Sequence, residues 1–175
     1  YFINVDLGLG KRIQTQASSV LPVTNTVTTF DDYDFHESEY VNFIKSGKQW
    51  YGEFFDNIST YSFSFTFPNI DMSAPTSVAT SIASRSLTTA ANYSVVSQTG
   101  SSSISISSTP GDSYSDYAIV GSSCITYNPN NSIVPVVVTK LTSGALAWLD
   151  YIEVNARRQL TMSGDQMDFR DAQSM

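Results

Sequence analysis

Tyr61-Ser62-Phe63-Ser64-Phe65-Thr66-Phe67 alternates ring and hydroxyl without a break. A β-strand turns successive side chains to opposite faces, so the pattern predicts four rings on one buried face and the hydroxyls on the other. A helix would scatter the same rings around its circumference. Pro68 and Asn69 end the run, because proline cannot continue a ladder and asparagine suits a turn.

Working outward, the same texture recurs. Toward the C terminus, residues 77–86, 92–96, 103–107, 117–120, 124–127, 133–139 and 145–154 read as further strands. They are punctuated by Thr99-Gly100-Ser101, Pro110-Gly111-Asp112, Gly121, Pro129-Asn130-Asn131 and Ser143-Gly144. The Ser-rich stretch 101–115 is interleaved with Ile104, Ile106 and Tyr114 and reads as a floppy, exposed hairpin. Toward the N terminus, 49–55 is strand-like and 20–30 reads as an extended, edge-like strand around Pro22. The acidic segment 31–37 between them places His36 in a loop. Residues 39–46 predict a short helical turn, with Gly47 as a left-handed cap.

Short strands with turn signals about every 8–12 residues, and no βαβ rhythm, predict an all-β, jelly-roll-like β-sandwich. The expected domain is 31–175. Residues 1–30 read as the end of a preceding β segment or as edge strands of the same domain. The chain opens on Tyr1-Phe2-Ile3-Asn4-Val5 as if in mid-strand, so an excised piece of a longer protein is expected.

Composition narrows the function. Sixteen acids against nine bases give a net charge of -7, which argues against phosphate-backbone binding and therefore against nucleic acid as partner. No apolar run reaches the roughly 18 residues of a spanning helix, so membrane insertion is not expected. One cysteine leaves no intrachain disulfide.

Thiol catalysis needs a thiolate beside an imidazole, and the chain has a single cysteine, Cys124, and a single histidine, His36. Cys124 lies among strand residues, where a thiol ordinarily packs as a small hydrophobe. Asp31, Asp32 and Asp34, with Glu37 and Glu39, are weak candidates for calcium, since their spacing matches no standard loop. Asp112 and Asp116 are weaker still. Otherwise no cofactor or metal is expected. Asp150 and Glu153 as a glycosidase pair would point to opposite faces of a regular strand. Trp50, Tyr51, Trp148 and Tyr151 could line a sugar platform or simply form core.

Two stretches go beyond composition. One is Glu39-Tyr40-Val41-Asn42-Phe43-Ile44-Lys45-Ser46-Gly47-Lys48-Gln49-Trp50-Tyr51-Gly52-Glu53-Phe54-Phe55-Asp56. The other is Trp148-Leu149-Asp150-Tyr151-Ile152-Glu153-Val154-Asn155-Ala156-Arg157-Arg158-Gln159-Leu160. In this order they resemble the region preceding the catalytic domain in gingipain-family cysteine peptidases. The nearest subgroup is the PorU-type cell-surface sortases of the type IX secretion system in Bacteroidetes. There an SGR-x-WFGE-x-F run precedes a β-rich insert and an N-x-RR-x-L box; here Lys48 and Tyr51 replace Arg and Phe. The family's catalytic His and Cys lie downstream, so none is carried onto this chain, and His36 and Cys124 are not in its motifs.

The resemblance implies a non-catalytic β-sandwich domain of a secreted or outer-membrane-associated cell-surface peptidase or sortase. Its partners would be the catalytic domain of the same parent and other secretion components. The alternative is a glycan-binding or adhesive surface module. The structural and interface candidates are Trp50, Gly52, Glu53, Trp148, Asp150, Asn155, Arg157 and Arg158. Trp50 is expected to anchor the core and Gly52 to allow close backbone approach. Arg157 and Arg158 are expected to pair with Glu53 or with the acidic segment, fixing the domain against its neighbour.

Overall fold

The computed structural model describes residues 14–18, 20–23, 26–43, 45 and 47–170. The mid-strand opening read at Tyr1 to Val5 lies outside these. Nine strands follow one another: β1 Thr29–Glu37, β2 Phe54–Phe55, β3 Thr60–Thr66, β4 Thr76–Arg85, β5 Ala91–Ser97, β6 Gly100–Ile106, β7 Ile119–Tyr127, β8 Ile133–Lys140 and β9 Leu146–Gln159. The first sheet runs β1-β9-β4-β7, with β2 also on β9. The second runs β3-β8-β5-β6. Every pairing is antiparallel. From β3 onward the chain crosses between the sheets at every step except the β5–β6 hairpin, and the strand order is that of a jelly roll.

The inner faces of both sheets make the core. Phe55, Phe65, Phe67, Ile82, Tyr93, Val134, Val136, Val138, Leu149, Ile152 and Val154 are buried there. Phe65 and Phe67 from the alternating run are fully inside, and Tyr61 and Phe63 pack half-buried against the same core. Burying such side chains is the main stabilising term, at roughly 1.5–3 kcal/mol each. A second, smaller cluster of Tyr51, Ala83 and Trp148, with Val41 and Phe43 against it, sits outside the first sheet.

β9 feeds both clusters, Trp148 from its outer face and its other apolar residues from the inner, and it is bulged. Ser81 pairs with Tyr151 and Ile82 with Leu149, so Asp150 is the extra residue. Before the bulge Ala147 and Leu149 face the core; after it Ile152, Val154 and Ala156 do. The slip in phase puts Asp150, Tyr151 and Glu153 together on the outer face. Asp150 and Glu153 are thus not on opposite faces, as an unbroken strand would have placed them.

Several other expectations change. The described part of 39–46 is not helical; the Tyr40 and Val41 amides both donate to the Tyr51 carbonyl, at 2.9 and 3.0 Å. Gly47 does take left-handed backbone, φ 69°, but in a loop. Residues 20–23 and 26–28 are outside any strand, whereas the acidic segment 31–37 is β1 itself. Gly121 does not end a strand but lies within β7, where a Cβ would come within 2.6 Å of Ile106. Residues 101–106 are not a floppy hairpin: they belong to β6, and Ile104 and Ile106 are buried.

Candidate functional site

β1 and β9 pair over nine residues, from Thr29 with Gln159 to Glu37 with Tyr151. Residues directly opposite in an antiparallel pair share a face. The outer face therefore carries Asp31 with Arg157, Tyr33 with Asn155 and Phe35 with Glu153. The inner face carries Phe30 with Arg158, then Asp32, Asp34 and His36. The two neighbouring arginines point to opposite faces, and each meets an acid of β1.

On the outer face Arg157 Nη1 lies 2.7 Å from Asp31 Oδ1, and its Nε donates to Thr29 Oγ1 at 2.9 Å. On the inner face Arg158 Nη1 lies 2.6 Å from Asp32 Oδ2 while its Nε donates to the Pro68 carbonyl at 2.6 Å. The Arg158 guanidinium also sits 5.1 Å from the centre of the Phe30 ring. Arg158 is buried, and these partners engage its Nε and Nη1 donors and one face of its guanidinium. The arginines meet the acidic segment, within one domain. Glu53 meets His36 instead, Oε1 to Nε2 at 2.8 Å, with the His36 ring 4.5 Å from that of Phe63.

Asp31, Asp32 and Asp34 do not converge on a cation site. Alternation along β1 separates Asp31 from the other two, and arginines occupy Asp31 and Asp32. Among the described residues no three His, Cys, Asp or Glu side chains gather as metal ligands. Asp112 instead closes a turn by accepting from the Tyr114 and Ser115 amides and the Ser115 hydroxyl, all at 2.9 Å. These bonds hold its carboxyl below the usual carboxylate range.

Asp71 was not singled out from the sequence. Its Oδ1 accepts from the Ser73 hydroxyl at 2.6 Å and the Ser73 amide at 3.0 Å, which lowers its carboxyl, with Arg157 adding a smaller pull. With Asp31, Asn155 and Arg157 it lines an open depression of about 570 Å³. Nothing in the spacing of Asp71 to the motifs would have revealed this.

The aromatic candidates divide. Trp148 and Tyr51 are 6% and 5% exposed, and Trp50 is 41% exposed. Phe43 stacks on Tyr51 at 4.6 Å and meets Trp148 edge-on at 4.6 Å, so these rings are core. The anchor expected of Trp50 is supplied by its neighbour Tyr51. Burial raises the Tyr51 phenol above its ordinary value, and the Asp150 charge adds to this. Asp150 itself accepts from the Ser81 hydroxyl at 2.9 Å. A Cβ at Gly52 would sit 3.0 Å from Ser38 Cβ, so the chain approaches closely there. Asn155 donates to Glu153 Oε1 at 2.6 Å. No co-planar, exposed set of rings is formed by these candidates.

Cys124 is exposed on the outer face of β7 and not in the core, because its register partner Ala79 faces outward there. His36 is on the inner face of β1, three strands away across the sheet. At about 4.8 Å per strand, and on opposite faces, they form no dyad.

This fold has a counterpart among solved structures. The chain has the fold of part of PorU. The match is to the crystal structure of dimeric latent PorU from Porphyromonas gingivalis, with a TM-score of 0.70 and 21% identity. It covers 85% of this chain and 14% of PorU, so the chain spans about one seventh of PorU's length. Two further structures are similar at a lower level. One is carbohydrate-binding module CBM36 in complex with calcium and xylotriose, with TM-score 0.40, 18% identity, 73% of this chain and 99% of the module. The other is the mosquito-larvicidal Cry4Aa toxin from Bacillus thuringiensis, with TM-score 0.35, 15% identity, 59% of this chain and 18% of the toxin. At those scores neither bears on the fold or on a ligand, and the PorU likeness is one of fold. No family profile matches the sequence, and no curated protein does.

Proposed function

We propose that this chain is a non-catalytic β-sandwich domain of a secreted, cell-surface cysteine peptidase of the gingipain kind, related to the PorU-type sortases. In this reading its work is to support and orient the catalytic domain of the same parent. The fold shared with part of PorU over 85% of the chain is the observation that carries the reading. The two motifs support it, since each has a structural task here. The Trp50 to Phe55 run folds against Trp148 and Leu149 through Gly52 and Glu53. The Asn155 to Leu160 box ties β9 to β1 through its arginines. The parent would act outside the cell, on cargo or with other components of its secretion machinery.

Reading the coding sequence beyond Met175 tests the proposal directly. A His-Gly pair followed by a Ser/Ala-Cys box is the expected outcome, and an unrelated continuation would sink it. A second assay uses the purified chain. No thiol-dependent peptide hydrolysis is expected, and Cys124→Ala is expected to behave as the parent sequence does. Hydrolysis that disappears in that variant would overturn the assignment.

A further inference from the structure

β1 is the outermost strand of the first sheet, and its far side has no strand beside it among the described residues. In an antiparallel pair, alternate residues direct both backbone polar groups toward the partner or away from it. The Asp31 amide donates outward, to the Arg170 carbonyl at 2.7 Å. The alternation then turns the amides and carbonyls of Tyr33, Phe35 and Glu37 outward as well. The Asp31–Arg170 contact is itself an antiparallel bridge. The edge thus already holds the first rung of an added strand, after which residues 168 and 169 diverge around a notch of about 290 Å³ beside Tyr33.

What occupies the open amides is informative. The Tyr33 amide donates to Asp32 Oδ1 at 3.0 Å, and the Phe35 amide to Asp34 Oδ1 at 2.9 Å. Each is held by the carboxylate of the preceding residue, a local contact that an incoming carbonyl can replace. Tyr33 and Phe35 meanwhile expose large side chains on the outer face, at 66% and 56%. From Asp32 to Phe35 the edge is therefore acidic on its inner side and aromatic on its outer side. A second copy of this chain fits it poorly, because pairing β1 with β1 would bring the two acidic sides together.

We infer that the free edge of β1, from Tyr33 to Glu37, accepts an extended segment of another polypeptide as an added strand, with basic and apolar residues alternating along it. Backbone bonds to Tyr33, Phe35 and Glu37 would supply the register. Lysine or arginine would meet the carboxylates released from their own amides, and the apolar residues would cover Tyr33 and Phe35. This inference does not depend on the peptidase assignment.

The probe is a fluorescent nine-residue peptide alternating lysine and valine, titrated into the full 175-residue chain by anisotropy. Three control peptides accompany it: glutamate for lysine, N-methylation of alternate residues, and scrambled order. Saturable binding of the lysine peptide is expected, with affinity falling about tenfold or more for each control. Phe35→Pro removes one outward amide and leaves the β9 ladder intact, because proline is tolerated where the amide faces solvent. That variant is expected to melt within a few degrees of the parent and to lose about tenfold in affinity, with Phe35→Ala separating backbone from ring. Equal binding of the N-methylated peptide would reduce the effect to charge alone and overturn strand addition. Equal binding of the glutamate peptide, no binding at all, or a chain that dimerises through β1 would each overturn it too.

Discussion

Arg157 and Arg158 are neighbours in sequence whose environments differ sharply. Arg158 lies in the interior with Asp32, the Pro68 carbonyl and the Phe30 ring around it. Removing it would strand a half-buried carboxylate and a carbonyl, so Arg158→Ala is expected to cost about 3 kcal/mol in urea unfolding. Arg158→Lys should recover little, since an ammonium cannot serve both partners of a planar fork. Arg157 holds a carboxylate that is half open to water, and solvent screening discounts that pair, so Arg157→Ala is expected to cost about 1 kcal/mol. Equal losses from the two alanine variants would contradict this division. That the box would seek the acidic segment was readable from charge; that one arginine would be buried was not. Burial of Arg158 follows from the β9 bulge, which shifts even-numbered residues to the inner face.

The bulge at Asp150 is the device that keeps the apolar residues on both sides of it facing the core. Deleting Asp150 would restore strict alternation through β9. Ala147, Leu149, Ile152, Val154 and Ala156 would then all still face the core, because the residue removed is the extra one. The deletion is therefore expected to keep cooperative unfolding and to cost about 1 kcal/mol for the lost Ser81 bond, as should Asp150→Asn. A deletion variant that unfolds without cooperativity would show that the register is set elsewhere. The order Leu149, Ile152, Val154 carries the shift, since apolar positions change from odd to even there, but Tyr151 between them keeps the odd phase and hides it, so a regular strand is expected. β3 was legible, its alternation being unbroken. β1 was hidden: its inward positions include Asp32, Asp34 and His36, and partners on β9 and before β2 make that acceptable. Gly121 misled because a glycine within a strand can mark close approach by another sheet as well as a turn.

For the molecule as a whole, two buried hydroxyl pairs link the sheets. Ser84 on β4 meets Tyr93 on β5 at 2.6 Å, and Ser97 on β5 meets Tyr127 on β7 at 2.5 Å. Burial raises both phenols above the ordinary value of about 10, and the serine contacts offset only part of this. The unfolded chain then ionises first as pH rises. The stability from these groups is full below about pH 10 and is lost as pH climbs from there through the folded values. The melting temperature is expected to fall from about pH 10 upward, and less steeply in the Tyr93→Phe, Tyr127→Phe double variant. Identical pH profiles for the two proteins would show that other groups govern alkaline unfolding.

An interior strand of the first sheet, β9, is also the last of the described strands to be made. β9 pairs with β1, β2 and β4, and its final paired residue is Gln159. On a ribosome, or in an export channel threading the N terminus first, residues 29–145 emerge before the strand that joins β1 and β4. Closure across so long a loop is slow, and contacts of this range form late. The jelly roll thus contains a delay: its first sheet cannot close before the arginine box has cleared the exit.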